Sequence, residues 1–202
     1  MRHRARTDAG QAFPIYVVMV AGLLFLAFVF FAVGKAAALR NEAQGAADAA
    51  ALAAAQQTRE QLGPLFFASL PMKMLDPFLR AHPVAGCPAA YGMASANAAH
   101  VTSCEPFSGG LRDRIKVQVK GNDPVDSPVV PDTEDTFPET EATAVIEFRC
   151  PDWESADFND DGVQDMYYFS CRGGEMLQIA PSKPPLWSKV SKILYDVHLV
   201  DN

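Results

Sequence analysis

One short stretch carries the residue types of a calcium loop. Residues 157–165 read DFNDDGVQD, with acidic or amide side chains at alternating positions and a glycine among them. Calcium takes about six to eight oxygen ligands, and such side chains on a tight turn converge on one point. The pattern predicts a calcium site formed by the side chains of Asp157, Asn159, Asp161 and Asp165 and the backbone carbonyl of Val163.

The spacing of this loop departs from that of an EF-hand. The twelfth position, which holds a bidentate glutamate in EF-hands, is Tyr168, and no helix signal flanks the loop. A loop inside a β-hairpin fits the sequence better. The alternative is an ordinary Asx-rich turn whose carboxylates are hydrated.

Four cysteines, Cys87, Cys104, Cys150 and Cys171, form the second chemical signal. The number is even and no C-x-x-C spacing occurs, which favours two disulfides in an oxidising compartment over a zinc or redox site. A bridge between the first two would hold a small helix at 89–100 against the strand that follows it. The last two flank the acidic loop and could clamp its hairpin. The sequence leaves the pairing open, and reduced core thiols are the alternative.

Catalysis is not indicated by the side chains. The four histidines, His3, His82, His100 and His198, are scattered along the chain, and no serine lies in a G-x-S-x-G motif. We therefore expect a protein that is not an enzyme, because no set of nucleophile, base and orienting group can be assembled from the sequence.

The element that must carry these features is an N-terminal helix. Residues 12–33 contain no charged side chain, and their roughly 33 Å of helix is enough to cross a bilayer core. We predict a transmembrane helix at 12–34, preceded by a basic cytoplasmic leader at 1–11 and continued as helix at 35–62, with its end at Gly63 and Pro64. A cleaved signal peptide is the alternative, although the apolar run is longer than such peptides carry.

The continuation of this helix has one face of small side chains. Alanines recur every fourth residue at Ala43, Ala47, Ala51 and Ala55. Small side chains allow a second helix to approach closely, so we expect this face to pack against helices of neighbouring proteins. Alanine-rich low complexity is the simpler alternative, since alanine forms helix without a partner.

The first 60 residues resemble the N-terminal segment of TadE/TadG-like proteins of Tad (Flp-type) pilus-assembly systems. The features in common are a basic leader, a Gly-Gln pair, one apolar helix and an alanine-rich run, and the matching residues are Gly10, Gln11, Pro14, Arg40, Ala47, Asp48, Ala49, Ala50 and Leu52. Pilin precursors of this class usually carry a glutamate five residues after the cleavage glycine, where this chain has Ile15. The resemblance implies a pseudopilin-like membrane protein on the outer face of the cell.

The remaining 140 residues, 63–202, are predicted to form one disulfide-bonded extracytoplasmic α+β domain with an antiparallel sheet. Strands are predicted at 115–119, 143–150 and 166–171, and the last residues, 195–200, read as a further helix turn or as a strand that closes the sheet. This part holds 20 acidic and 11 basic residues, a net charge of about −9, which disfavours nucleic acid as a partner.

Residues 122–141 are predicted to be an acidic, proline-rich loop, either solvated or exposed as a tip that a basic partner or a cation recognises.

Two functions fit these expectations. In one, the chain is a minor pseudopilin or assembly factor of a Tad/Flp-type pilus, with the membrane and other pilin-like helices or pilus-assembly proteins as partners. In the other, the helix only anchors a calcium-ordered adhesion or binding domain that is not part of a pilus.

Overall fold

The fold is organised on one long helix. The computed structural model describes residues 12–126 and 133–200, so the leader at 1–11, with Gly10 and Gln11, and the middle of the acidic loop lie outside the described residues. Helix α1 runs without interruption over Ala12–Ser69, 58 residues or roughly 87 Å. The predicted single rod is confirmed, but its predicted end at residue 62 is wrong.

The helix passes through Pro64 because the residues beyond it are buried. Phe66 and Leu70 are inaccessible to solvent, and their packing offsets the hydrogen bond that proline removes. Gly63 serves this packing: a Cβ there would lie 2.7 Å from the Trp187 ring, so only glycine lets the indole lie flat on the helix. The Trp187 Nε1–H then donates to the Arg59 carbonyl at 2.9 Å.

The rest of the described chain forms two antiparallel sheets and three short helices. Their bounds are α2 Leu75–Arg80, α3 Cys87–Ala96, β1 Ala99–Phe107, β2 Arg112–Gly121, β3 Glu139–Phe148, β4 Asp152–Ala156, β5 Met166–Ser170, β6 Met176–Ile179, α4 Trp187–Leu194 and β7 Tyr195–Val200. The four-stranded sheet has the order β1-β2-β3-β7, and the three-stranded sheet has the order β4-β5-β6. The predicted α+β class with an antiparallel sheet is confirmed.

The hydrophobic core lies between α1 and the larger sheet. Alternate residues of β2, Ile115, Val117 and Val119, are fully buried, as the period-two pattern predicted. They face the alanine-rich side of α1, and α3 packs on its flank through Ala90 and Ala94.

The expectation for the alanine face is therefore corrected. Ala43, Ala47, Ala51 and Ala55 are at most 3% exposed, and they are buried by the chain's own sheet and α3. Small side chains do allow close approach, but the approaching surface is intramolecular. No helix of another chain can occupy this face while the domain is folded.

Smaller differences concern element ends. The helix predicted at 89–100 ends at Ala96, and β1, which the sequence did not indicate, begins at Ala99. Strand β3 begins at Glu139, inside the predicted acidic loop. Residues 195–200 are a strand, and β7 closes the larger sheet beside β3, as one of the two alternatives stated.

Candidate functional site

The first third of α1 is apolar and largely exposed. Most of the large side chains between Phe13 and Val33 are open to solvent, with Tyr16 73% and Phe30 74% exposed, whereas Ala32 near the end of the stretch is only 8% exposed. By length and composition this is the one helix among the described residues able to cross a membrane. Water is an unfavourable solvent for such a surface, since exposing apolar area costs about 25 cal/mol per Å². Lipid or apolar partner helices must cover it.

The helix is attached to the domain along its remaining length. Near the apolar part, the Lys35 ammonium donates to the Asp126 carbonyl at 3.0 Å, and Gln44 Nε2 donates to the Glu141 carbonyl at 3.2 Å. At the other end, the Tyr167 hydroxyl donates to the Leu70 carbonyl at 2.9 Å. Together with the buried alanines, these contacts make the helix and the domain one body.

The contact of Lys35 with Asp126 shows where the acidic loop begins relative to the helix. Asp126 lies beside the end of the apolar segment, which is the opposite end of the domain from the α1 terminus at Ser69. The described parts of 122–141 therefore lie near this end of the domain, and recognition of the loop by a basic partner or a cation stays a prediction. Residues 127–132 lie outside the described residues.

One face of α1 beyond the apolar part stays exposed. Gly34, Ala38, Asn41 and Gly45 follow helical spacing and lie opposite the buried alanines. A Cβ added at Gly34 or Gly45 would meet no atom within 4 Å. We call these four residues the Gly45 face. Its glycines and alanine leave room for the backbone of a neighbouring helix to approach closely.

Both disulfides join neighbouring elements of the domain. Cys87 is bonded to Cys104, which ties the start of α3 to β1, and Cys150 is bonded to Cys171, on either side of the β4-β5 hairpin. The pairing that the sequence left open is thus the local one in each case.

The predicted calcium loop lies in the β4-β5 hairpin, as expected. Its carboxylates accept backbone hydrogen bonds: Asp157 from Gly162 N–H at 2.8 Å, Asp161 from Val163 N–H at 2.8 Å and Asp165 from Phe158 N–H at 2.8 Å. Within the described residues no group of three or more His, Cys, Asp or Glu side chains converges as a metal site would require. Calcium binding by Asp157, Asn159, Asp161, Val163 and Asp165 stays a prediction.

The structure contains a buried ion pair that the sequence did not predict. His82 and Asp113 are 7% and 1% exposed, and the His82 Nε2 lies 2.6 Å from Asp113 Oδ2. His82 Nδ1 lies 3.0 Å from the Phe78 carbonyl, and Asp113 Oδ1 accepts the Gly109 N–H at 3.0 Å. Both imidazole nitrogens face oxygen atoms, and this geometry favours the imidazolium form of His82, which carries a proton on each nitrogen. No local pattern links two residues so far apart in sequence.

Burial alone would lower the pKa of His82. The hydrogen bond to Asp113, the charge of that carboxylate and the Phe78 carbonyl outweigh burial and raise the pKa above its ordinary value of 6.5. The pair holds the segment after α2 against β2.

Part of helix α1 matches a known protein family. Residues 10–57 match the family model described as Tad, putative Flp pilus-assembly TadE/G-like. The chain carries a TadE/G-like segment. The resemblance seen in the sequence is confirmed for these residues. Comparisons with curated proteins and with solved structures found no match.

The TadE/G-like segment covers two parts of α1 that differ in their surroundings. Its first half is the exposed apolar stretch, and its second half is the buried alanine face on which the sheet is built. Among its matching positions, Ala47 and Ala50 are fully buried, and Asp48 accepts a hydrogen bond from Gln44 at 2.9 Å. Positions that look like a helix-packing motif are thus core positions of the attached domain.

Proposed function

We propose that this chain is a membrane-anchored minor pseudopilin or assembly factor of a Tad/Flp-type pilus. The observation that carries the proposal is the continuity of α1, which is apolar and exposed at one end and forms the core of a folded domain at the other. Such a subunit displays its domain at a fixed distance and orientation from whatever covers the apolar end. The TadE/G-like match spans both parts, which supports this role.

The proposed orientation has the N-terminus in the cytoplasm and the domain outside. Three arginines, Arg2, Arg4 and Arg6, precede the apolar segment, against Lys35 and Arg40 after it. Positive residues favour the cytoplasmic side. The two disulfides support an oxidising space for the domain, because thiols in the cytosol are kept reduced.

The proposed partners are the membrane and other pilin-like helices or pilus-assembly proteins, and the proposed role is structural and not catalytic. Because the alanines are buried, the surfaces of α1 left for neighbouring helices are the apolar stretch and the Gly45 face. Helices pack closely where small residues leave room for the opposing backbone.

The test compares two leucine substitutions on opposite faces of α1. Gly45→Leu adds bulk on the exposed face and improves helix propensity by about 1 kcal/mol, so the domain should still fold. The added side chain should prevent neighbouring helices from packing on this face. Ala47→Leu adds bulk in the core and should destabilise the domain by about 1–3 kcal/mol. Thermal unfolding of each full-length variant in detergent and co-purification of pilus components measure the two effects.

Gly45→Ala is the control, because it keeps the face small. Unchanged co-purification by Gly45→Leu would refute assembly through this face. Pilus components that fail to co-purify even with the unaltered chain would favour the second function, a single-pass anchor for a calcium-ordered adhesion or binding domain.

A further inference from the structure

The outer face of the smaller sheet holds an open groove of about 780 Å³. In this antiparallel sheet, Asp152 lies opposite Ser170, which in turn lies opposite Met176. Glu154 lies opposite Tyr168 in the next row. Directly opposed residues share a face of the sheet. On the outer face, each carboxylate of β4 therefore lies beside a serine or tyrosine of β5, which in turn lies beside a side chain of β6.

The groove is negative and its charge is unbalanced. Its lining includes Asp76, Asp152 and Glu154, and it contains no Lys, Arg or His. Among the described residues none of these three carboxylates forms an ion pair. Asp152 and Glu154 are two residues apart on β4, so their side chains project from one face about 7 Å apart.

The larger sheet differs from the groove in how its acidic side chains are paired. On its outer face Lys116 pairs with Glu141 at 2.8 Å and Lys120 pairs with Glu139 at 3.2 Å. The chain therefore neutralises acidic side chains on one sheet and leaves those of the groove without a cation.

The groove also offers an apolar floor. Met176 on β6 is 76% exposed, and the half-buried Tyr168 lies on the adjacent strand β5, two residues from Ser170. An arginine or lysine side chain matches this combination, because its aliphatic stem packs on apolar atoms while its cationic end meets a ring face and carboxylates. An anionic partner is repelled, and a neutral apolar one would bury the carboxylates unpaired.

We propose that the groove on the outer face of the β4-β5-β6 sheet binds an arginine- or lysine-rich segment of another protein. The proposal does not depend on the pilus role of the helix, since no residue of α1 lines the groove.

The experiment measures binding of a fluorescein-labelled Gly-Arg repeat peptide to the full chain in a non-ionic detergent by fluorescence anisotropy. The matched Gly-Glu peptide should not bind. Asp152→Asn with Glu154→Gln should weaken the Gly-Arg peptide about tenfold, since each exposed ion pair contributes a modest factor. Met176→Ser should weaken it about threefold with no change in charge. Raising salt from about 50 mM to about 500 mM should also weaken it, because exposed charges are screened.

The control is Glu42→Gln with Glu105→Gln, which removes the same charge from exposed positions away from the groove. Equal weakening by the control and groove variants would mean attraction to net charge alone and would overturn the proposal. No binding by the unaltered chain would overturn it too. Full competition by about 1 mM calcium, with Met176→Ser indistinguishable from the unaltered chain, would reassign the groove to metal ions.

Discussion

The buried pair of His82 and Asp113 makes the stability of the domain depend on pH in a definite direction. The pKa of His82 is raised in the folded chain, so the folded state holds its proton more tightly than the unfolded state does. This stabilisation is fully present below the unfolded pKa of 6.5 and is lost as pH rises through the folded value. Each unit by which the pKa is raised contributes about 1.4 kcal/mol.

Asp113→Asn is the informative change, because it can reverse this dependence. The asparagine oxygen can still accept the Gly109 N–H, while its amide donates to Nε2 of a neutral His82, whose Nδ1–H keeps the Phe78 carbonyl. With the carboxylate gone, burial lowers the pKa of His82. A lowered pKa means that acid, and not alkali, destabilises the variant. Asp113→Ala leaves the imidazolium unpaired and should cost about 3–5 kcal/mol.

The assay is thermal unfolding of the full chain in detergent between about pH 5 and about pH 9. The melting temperature of the unaltered chain should fall above neutral pH, and that of Asp113→Asn should fall below it. Parallel pH profiles for the two proteins would refute an imidazolium at His82. His82→Gln serves as the control that removes the titrating group, and its profile should lose the alkaline decline.

Two further predictions concern the loop and the helix contacts. Calcium at about 1 mM should raise the melting temperature of the full chain. At a hundred times its dissociation constant it would add about 2.7 kcal/mol to the free energy of unfolding, and Asp161→Ala should abolish this effect. Magnesium is the control, and an unchanged melting temperature with calcium would rule out the site. Gly86→Ala should destabilise the domain by about 3 kcal/mol, because its Cβ would lie 1.7 Å from the Ala54 carbonyl oxygen. Gly92→Ala is the control: its Cβ would meet no atom within 4 Å, so this variant should be neutral or stabilising. Equal melting temperatures for the two variants would contradict the packing of α3 on α1.

Local patterns predicted much of the fold. The absence of charge over 12–33 predicted the apolar helix, and the alternation of Ile115, Val117 and Val119 with polar residues predicted β2 and its buried face. Both patterns follow from the geometry of a single element. The hairpin around the acidic loop was predicted for the same reason.

What the alanines face could not be predicted from the sequence. A row of small side chains indicates close approach but does not say what approaches, and the strands of the sheet that covers Ala47 and Ala51 begin only at Ala99. The end of α1 was mispredicted because the burial of Phe66 and Leu70 outweighs the local effect of Pro64. His82 and Asp113 meet only through tertiary folding, so neither carried a signal.

The passage of α1 from the apolar stretch into the core has a mechanical consequence. Tension applied to the anchor does not stretch a flexible tether, because there is none among the described residues between the apolar segment and the sheet. The load enters the domain as shear along the whole buried side of the helix, where many alanine contacts and hydrogen bonds share it. A force on the displayed domain is likewise transmitted without slack to the apolar end.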